Sequence, residues 1–140
     1  MLTYQDPGSA TLSGDVMEPR SFSDPLTERI IQCVVTVHRT LGPGFIESVY
    51  RNALLIELRN SGLKAEHECA VRIFYDGQEV GLHRLDILVE QRVIVELKTV
   101  DSLAAAHYAQ VRSYLRATGL KLALLVNFSR ERSDFRRIES

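Results

Sequence analysis

Apolar residues recur at helical spacing in the first patterned segment of the chain. Ile30, Val34, Val37 and Leu41 form one stripe, which is typical of an amphipathic helix. The preceding residues 23–25 read Ser-Asp-Pro, a capping pair followed by a proline suited to a first helical turn. The pattern therefore predicts that a helix begins close to Asp24 and ends before the Gly-Pro-Gly break at 42–44.

In the rest of the chain, some segments have apolar residues at helical spacing and others at the spacing of a strand. We predict a helix over 45–61, strands around 69–73, 80–89 and 92–99, a helix capped by Asp101 or Ser102 and ending at Gly119, a strand over 122–126 and an edge strand over 135–138. The predicted order is α-α-β-β-β-α-β-β, an α/β arrangement with a mixed sheet flanked by helices.

The first 22 residues mix Pro, Gly, Ser, Thr and Asp without apolar periodicity, so we expect a flexible N-terminal tail or arm there. A chain of 140 residues with 45% hydrophobic content suits one domain, which we place at 23–140. No apolar run approaches the length of a membrane span, and no signal peptide is evident. We therefore expect a cytoplasmic protein that makes no membrane contact.

Charge and cysteine content narrow the function only slightly. Seventeen Lys and Arg residues against eighteen Asp and Glu residues give a net charge of −1, so any surface that binds nucleic acid must be local. Cys33 and Cys69 lie far apart without a CxxC pair. Neither a disulfide framework nor a zinc site is predicted.

The segment LDILVEQRVIVELK predicts a β-hairpin with a defined register. Its apolar residues are all odd-numbered: Leu85, Ile87, Val89, Val93, Val95 and Leu97. If they share one face, Val89 pairs with Val93 across a three-residue loop centred on Gln91. The same register sets Asp86 opposite Glu96, with Arg84 beside Lys98.

Two facing carboxylates at about 4 Å repel by roughly 4 kcal/mol at an effective dielectric near 20. One interpretation is a salt-bridge ladder in which Arg84 and Lys98 neutralise the acids. The other is a divalent cation held by carboxylate oxygens, which are hard ligands suited to Mg²⁺, with a lysine nearby to act on water.

Asp86 followed by Glu96-x-Lys98 resembles the PD-(D/E)xK motif of restriction-endonuclease-like nucleases, although Leu85 stands where proline is usual. Residues 44–50 also spell GxxExxY. Together with LGPGFIESVY, VIVELK and YLRATGLKLALLVNF, this pattern resembles the GxxExxY proteins of that superfamily from about residue 24 to 138. The resemblance implies a restriction-endonuclease-like αβββαβ core and predicted nuclease activity on DNA or RNA.

The resemblance also implies roles for individual residues. Asp86 and Glu96 would hold Mg²⁺ or Mn²⁺ with the main-chain carbonyl of Leu97, and Glu47 would complete the acidic cluster as a ligand of the metal or its water. Lys98 would orient the attacking water. For Glu47, a favourable interaction with the helix N-terminus competes with this role.

Four further residues are candidates for supporting roles. Gln110 and Tyr114 resemble a QxxxY element of RecB-like nucleases, in which Gln110 would bind phosphate or orient a carboxylate. A core glutamine is the alternative for Gln110, and we favour a core position for Tyr114. We favour Tyr50 as a packed aromatic whose hydroxyl reaches the site edge. Arg84 is either a partner of Glu96, which we favour, or a phosphate contact.

The alternative to a metal-dependent nuclease is a noncatalytic module that keeps the fold and acts through a protein partner or a homo-oligomer. The near-neutral charge and the lack of an added DNA-binding domain favour that alternative. His67 would face Asp86 if Asp76-Gly77 formed a two-residue turn.

Overall fold

A computed structural model of the protein describes residues 24–129 and 133–140. The predicted tail at 1–22 lies outside the described residues. The elements in chain order are α1 (Pro25–Leu41), α2 (Glu47–Asn60), β1 (Ala65–Tyr75), β2 (Gln78–Val89), β3 (Val93–Lys98), α3 (Ala105–Thr118), β4 (Leu122–Asn127) and β5 (Asp134–Glu139). The predicted order of helices and strands is confirmed.

The first residues of the three helices agree with the predicted ones to different degrees. Asp24 caps α1 as predicted, because its Oδ1 accepts the main-chain N–H of Leu26 at 2.9 Å. Helix α2 begins at Glu47, two residues later than predicted. The predicted cap of α3 at Asp101 or Ser102 is wrong. Instead, α3 begins at Ala105, and the main-chain N–H of Ala104 donates to His107 Nδ1 at 2.9 Å.

The five strands form one mixed sheet in the order β1-β2-β3-β4-β5. Strands β3 and β4 are parallel, and the other neighbours are antiparallel. Helices α1 and α2 pack on one face of the sheet, where they share a core with Val95 and Leu124. Helix α3 packs on the opposite face, where it shares a second core with Ile94 and Leu125. The predicted α/β fold with a mixed sheet flanked by helices is confirmed.

The predicted β2–β3 register is confirmed where the two strands are hydrogen-bonded. Val89 pairs with Val93 and Ile87 with Val95, and the loop over 90–92 is the predicted three-residue connection. The main-chain N–H of Arg92 donates to the carbonyl of Val89 at 3.0 Å and closes this loop.

Leu85 does not lie on the predicted face of the sheet. It packs in the α3 core, whereas Ile87 packs in the core of α1 and α2. The alternation of sides therefore shifts around Asp86, next to Glu68, whose backbone has a φ of 54°. The regular β2–β3 ladder ends at Ile87 and Val95, so the predicted pairing of Leu85 with Leu97 is absent.

The predicted approach of His67 to Asp86 is also wrong. The turn at Asp76-Gly77 is the expected two-residue connection, since Tyr75 pairs with Gln78. A bulge then shifts the register by one residue, because Ile73 pairs with Gly81 and leaves Val80 without a partner on β1. His67 consequently pairs with Ile87.

The β1–β2 hairpin continues beyond the last residue pair that joins β2 to β3. We call residues 69–85 the β1–β2 arm; they form a ladder from Cys69 and Leu85 to the Tyr75–Gln78 pair. Leu85 and Val71 anchor one face of the arm on α3. No helix in the described part of the chain is both long and apolar enough to cross a membrane.

Candidate active site

Asp86 and Glu96 lie where the β2–β3 ladder ends, and their carboxylates replace its next hydrogen bonds. The main-chain N–H of Leu97 donates to Asp86 Oδ2 at 2.9 Å. The main-chain N–H of Asp86 donates to Glu96 Oε1 at 3.3 Å. Each carboxylate is thereby fixed against the opposite strand and retains a second oxygen.

Glu96 is unusually buried for a carboxylic acid, with 4% of its surface exposed. Burial raises the pKa of Glu96 to about 8, and the negative charge of Asp86 adds to this shift. Lys98 and the N–H of Asp86 favour the charged form and lower the pKa, but they do not offset the increase. Near pH 7 the pair therefore holds one proton for much of the time.

Lys98 follows Glu96 by two residues on β3 and reaches α3. Its Nζ donates to Gln110 Oε1 at 3.2 Å. Gln110 is exposed, so the alternative of a core glutamine is wrong. This hydrogen bond holds the ammonium beside the acidic pair. Because Gln110 is uncharged, it does not neutralise the positive charge of Lys98, which acts on the acids.

Glu47 is the first residue of α2, and it approaches the pair from the other side of the sheet. The pKa of Glu47 is raised, first by burial and second by the charge of Asp86; Lys98 and Arg51 act in the opposite direction. Glu47 is thus within electrostatic range of both Asp86 and Lys98.

Tyr114 lies beneath the pair on α3, and its ring meets His83 edge to face at 4.9 Å between centroids. Burial raises the pKa of the Tyr114 hydroxyl to about 12, and the charges of Glu96 and Asp86 add to the shift. Tyr114 therefore packs in the α3 core, close enough to the acidic pair for the two carboxylates to affect the pKa of its hydroxyl.

Tyr50 is fully buried and supports the start of α2. Its ring stacks on Phe128 at 4.6 Å between centroids. Its hydroxyl donates to the carbonyl of Gly42 and accepts the main-chain N–H of Phe45 at 3.3 Å. These contacts fix the α1–α2 connection: Tyr50 is a packed aromatic, and its hydroxyl is bound within that connection.

Arg84 is not brought to the acidic pair. It is exposed, pairs with Ala70 on β1, and lies on the face of the arm opposite Leu85 because neighbouring residues alternate sides. None of the ion pairs in the described ranges includes Arg84. The predicted partnership with Glu96 fails because the residues around Asp86 change sides.

Arg51, which was not predicted from the sequence, also belongs to this site. It lies one helical turn after Glu47 on α2, and its charge lowers the pKa of Glu47. Its Nε is buried without a hydrogen-bond partner. The spacing of four residues between an acid and an arginine on one helix was the available signal.

The donor set suits a hard divalent ion. Mg²⁺ is commonly bound by one or two carboxylates and retains several waters, and Asp86 and Glu96 offer two fixed carboxylates. Within residues 24–129 and 133–140, no group of three or more His, Cys, Asp or Glu side chains is arranged to hold a metal ion. Glu47 therefore does not complete a direct three-acid group in this conformation.

The chain is similar to solved structures to different extents. A solved structure described as SSO0001 superposes with a TM-score of 0.55 at 21% identity, covering 66% of this chain and 49% of that one. The chain thus spans about half the length of that neighbour. An alkaline exonuclease from Laribacter hongkongensis superposes with a TM-score of 0.42 at 14% identity, covering 91% and 73% of the two chains.

No curated protein sequence matches the chain significantly. The family model described as the PD-(D/E)XK nuclease superfamily matches residues 24–138, nearly all of the described chain. Members of this superfamily generally use divalent metal ions. Asp86, Glu96 and Lys98 lie within the matched region, and the chain belongs to the PD-(D/E)XK nuclease superfamily.

Proposed function

We propose that the protein is a metal-dependent nuclease that hydrolyses phosphodiester bonds of DNA or RNA at the Asp86–Glu96 pair. The supporting observation is the exchange of hydrogen bonds between each acid and the opposite strand, with Lys98 on the same strand as Glu96. A surface salt-bridge ladder would pair each acid with a base, whereas here the acids lie against each other.

Asp86 and Glu96 would hold Mg²⁺ or Mn²⁺, assisted by the main-chain carbonyl of Leu97. A bound divalent ion would stabilise the negative charge that develops on the phosphodiester in the transition state. Glu47, in electrostatic range rather than in direct contact, would accept a hydrogen bond from water at the site.

Lys98 would orient the attacking water and assist its deprotonation. Gln110 would keep the Lys98 ammonium in place through their 3.2 Å hydrogen bond. Tyr114 and Tyr50 would support α3 and α2, respectively, without touching the reacting atoms.

The test combines metal binding with cleavage. Purified protein is incubated with single-stranded and duplex DNA and RNA in Mg²⁺, in Mn²⁺ and in chelator, and thermal unfolding is followed under the same conditions. We expect cleavage only with metal, and a metal-dependent rise in melting temperature. Asp86→Asn and Glu96→Gln should lose both responses.

Glu57→Gln is a matched control, because it removes one carboxylate from α2 about 15 Å along the helix from Glu47. It should retain both responses. Nucleic-acid binding without product formation in either metal would instead favour the noncatalytic module, and the oligomeric state would then identify a self-association role.

A further inference from the structure

One face of the β1–β2 arm has no helix packed on it. Residues that point away from α3 alternate with the core residues Val71 and Leu85. Of these residues, Ala70, Arg72, Leu82 and Arg84 are exposed, with Leu82 exposed by 48%. Because Ala70 pairs with Arg84 and Arg72 with Leu82, all four share this face, which we call the open face.

The open face carries two arginines and one acid, because Glu79 pairs with Phe74 next to the Arg72–Leu82 pair. The ion pairs in the described ranges involve His67, Arg92, Arg136 and Arg137 as bases, and neither Arg72 nor Arg84 takes part. Diagonal neighbours on an antiparallel ladder lie about 7–8 Å apart. The two guanidinium groups thus outnumber the single carboxylate of Glu79 and give this face an excess of positive charge, on a chain whose net charge is −1.

The open face ends next to the strand segment that carries Asp86. Arg84 precedes Asp86 by two residues, a rise of about 7 Å along the strand. Because the opposite face packs on α3, the open face lies on the same side of the sheet as α1 and α2. Glu47 at the start of α2 and the exposed side chain of Ile46 (70%) therefore border the same side.

We propose that the open face of the β1–β2 arm binds the phosphate backbone of a nucleic acid and leads it to Asp86 and Glu96. This inference rests on the proposed nuclease function and names a surface for its substrate. Arg72 and Arg84 contact phosphates, because guanidinium groups match phosphate oxygens in shape and charge. Leu82, which pairs with Arg72, offers an apolar surface to a sugar or base.

The experiment measures the affinity of the full chain for a fluorescently labelled oligonucleotide by anisotropy in chelator, where no cleavage is expected, across a salt series. The variants are Arg72→Gln, Arg84→Gln and the double variant. Lys64→Gln is the control, because it removes the same charge from an exposed site at the opposite end of the hairpin, next to the β2–β3 loop.

Each single variant should weaken binding by roughly fivefold and reduce the slope of log affinity against log salt by about one. The control should leave both unchanged. In Mg²⁺, the double variant should raise KM and leave kcat within about twofold, because the arginines bind substrate remote from the reacting atoms. Unchanged melting temperatures in chelator would show that the variants fold.

If the wild type binds the oligonucleotide and all three variants bind it equally strongly, the proposed binding surface is wrong and the nuclease proposal remains intact. Loss of a wild-type dimer in the double variant, measured by sedimentation, also overturns it, because the occupant is then a second copy of the chain. A wild type that neither binds nor cleaves any nucleic acid overturns the nuclease proposal and this inference together.

Discussion

The main-chain N–H of Asp86 donates to Glu96 Oε1 at 3.3 Å, across two strands whose regular ladder ends at Ile87 and Val95. The acid of one strand thus replaces a main-chain acceptor for the other. This arrangement buries a carboxylate next to a second carboxylate, and its electrostatic cost can be measured without any substrate.

The stability of the metal-free protein should fall as the pH rises from about 5 to 8. The folded-state pKa of Glu96 is about 8 and its ordinary value is 4.5, so the native state binds more protons in this window. The stabilisation is complete below the ordinary value and is lost as the pH passes through the folded-state value. The expected slope from Glu96 is on the order of 1 kcal/mol per pH unit.

Urea unfolding in chelator at several pH values measures this slope. Glu96→Gln should flatten it, because the amide does not titrate, whereas Glu57→Gln should not. A wild-type stability that rises through the same window would contradict the buried, protonated state of Glu96.

Asp86→Asn should stabilise the metal-free protein at pH 8 and above by on the order of 1 kcal/mol, because it removes the repulsion between two charged carboxylates. The Asn carbonyl can still accept the N–H of Leu97. Near pH 5 the difference should be small, since Glu96 is then neutral. Unfolding in chelator at both pH values tests this, and a less stable variant at pH 8 would favour a structural salt-bridge ladder.

Lys98→Ala should keep the metal-dependent stabilisation and lose cleavage by at least about a hundredfold, since its ammonium acts on water while the acids hold the ion. Calorimetric metal titration and a cleavage assay on the same preparation separate the two effects. Lys64→Ala is the matched control. Metal affinity that disappears together with Lys98 would refute this division of roles.

Tyr50→Phe should lower the free energy of unfolding by about 1 kcal/mol, because it removes the hydroxyl contacts with Gly42 and Phe45 and keeps the ring on Phe128. Thermal unfolding measures the loss. Tyr75→Phe, at a side chain that is 76% exposed, should show none. A large loss of kcat in folded Tyr50→Phe would instead place the hydroxyl at the reacting atoms.

The β2–β3 register could be predicted because both strands are covered by the same helices from Ile87 to Val95, so one parity of residues is apolar throughout. At Leu85 the same parity remains apolar while the covering element changes from α1 and α2 to α3. An apolar residue gives no indication of which core it enters. The position of Arg84 was mispredicted for that reason.

The contact between Lys98 and Gln110 depends on how α3 packs, although each residue was a candidate from the sequence. The start of α3 was missed because His107, rather than Ser102, accepts the free main-chain N–H. The bulge at Val80 could not be predicted, because the turn residues Asp76 and Gly77 determine only the first residue pairs of the hairpin. Local chemistry therefore predicted the elements, and long-range packing decided these details.

Strand β4 is buried along its whole length, and its consecutive residues Leu124 and Leu125 belong to the two different cores. Detaching either layer of helices would expose one side of the same strand to water. Neither layer can therefore unfold independently at low cost, and heat or urea should unfold the described residues, 24–129 and 133–140, in one cooperative transition.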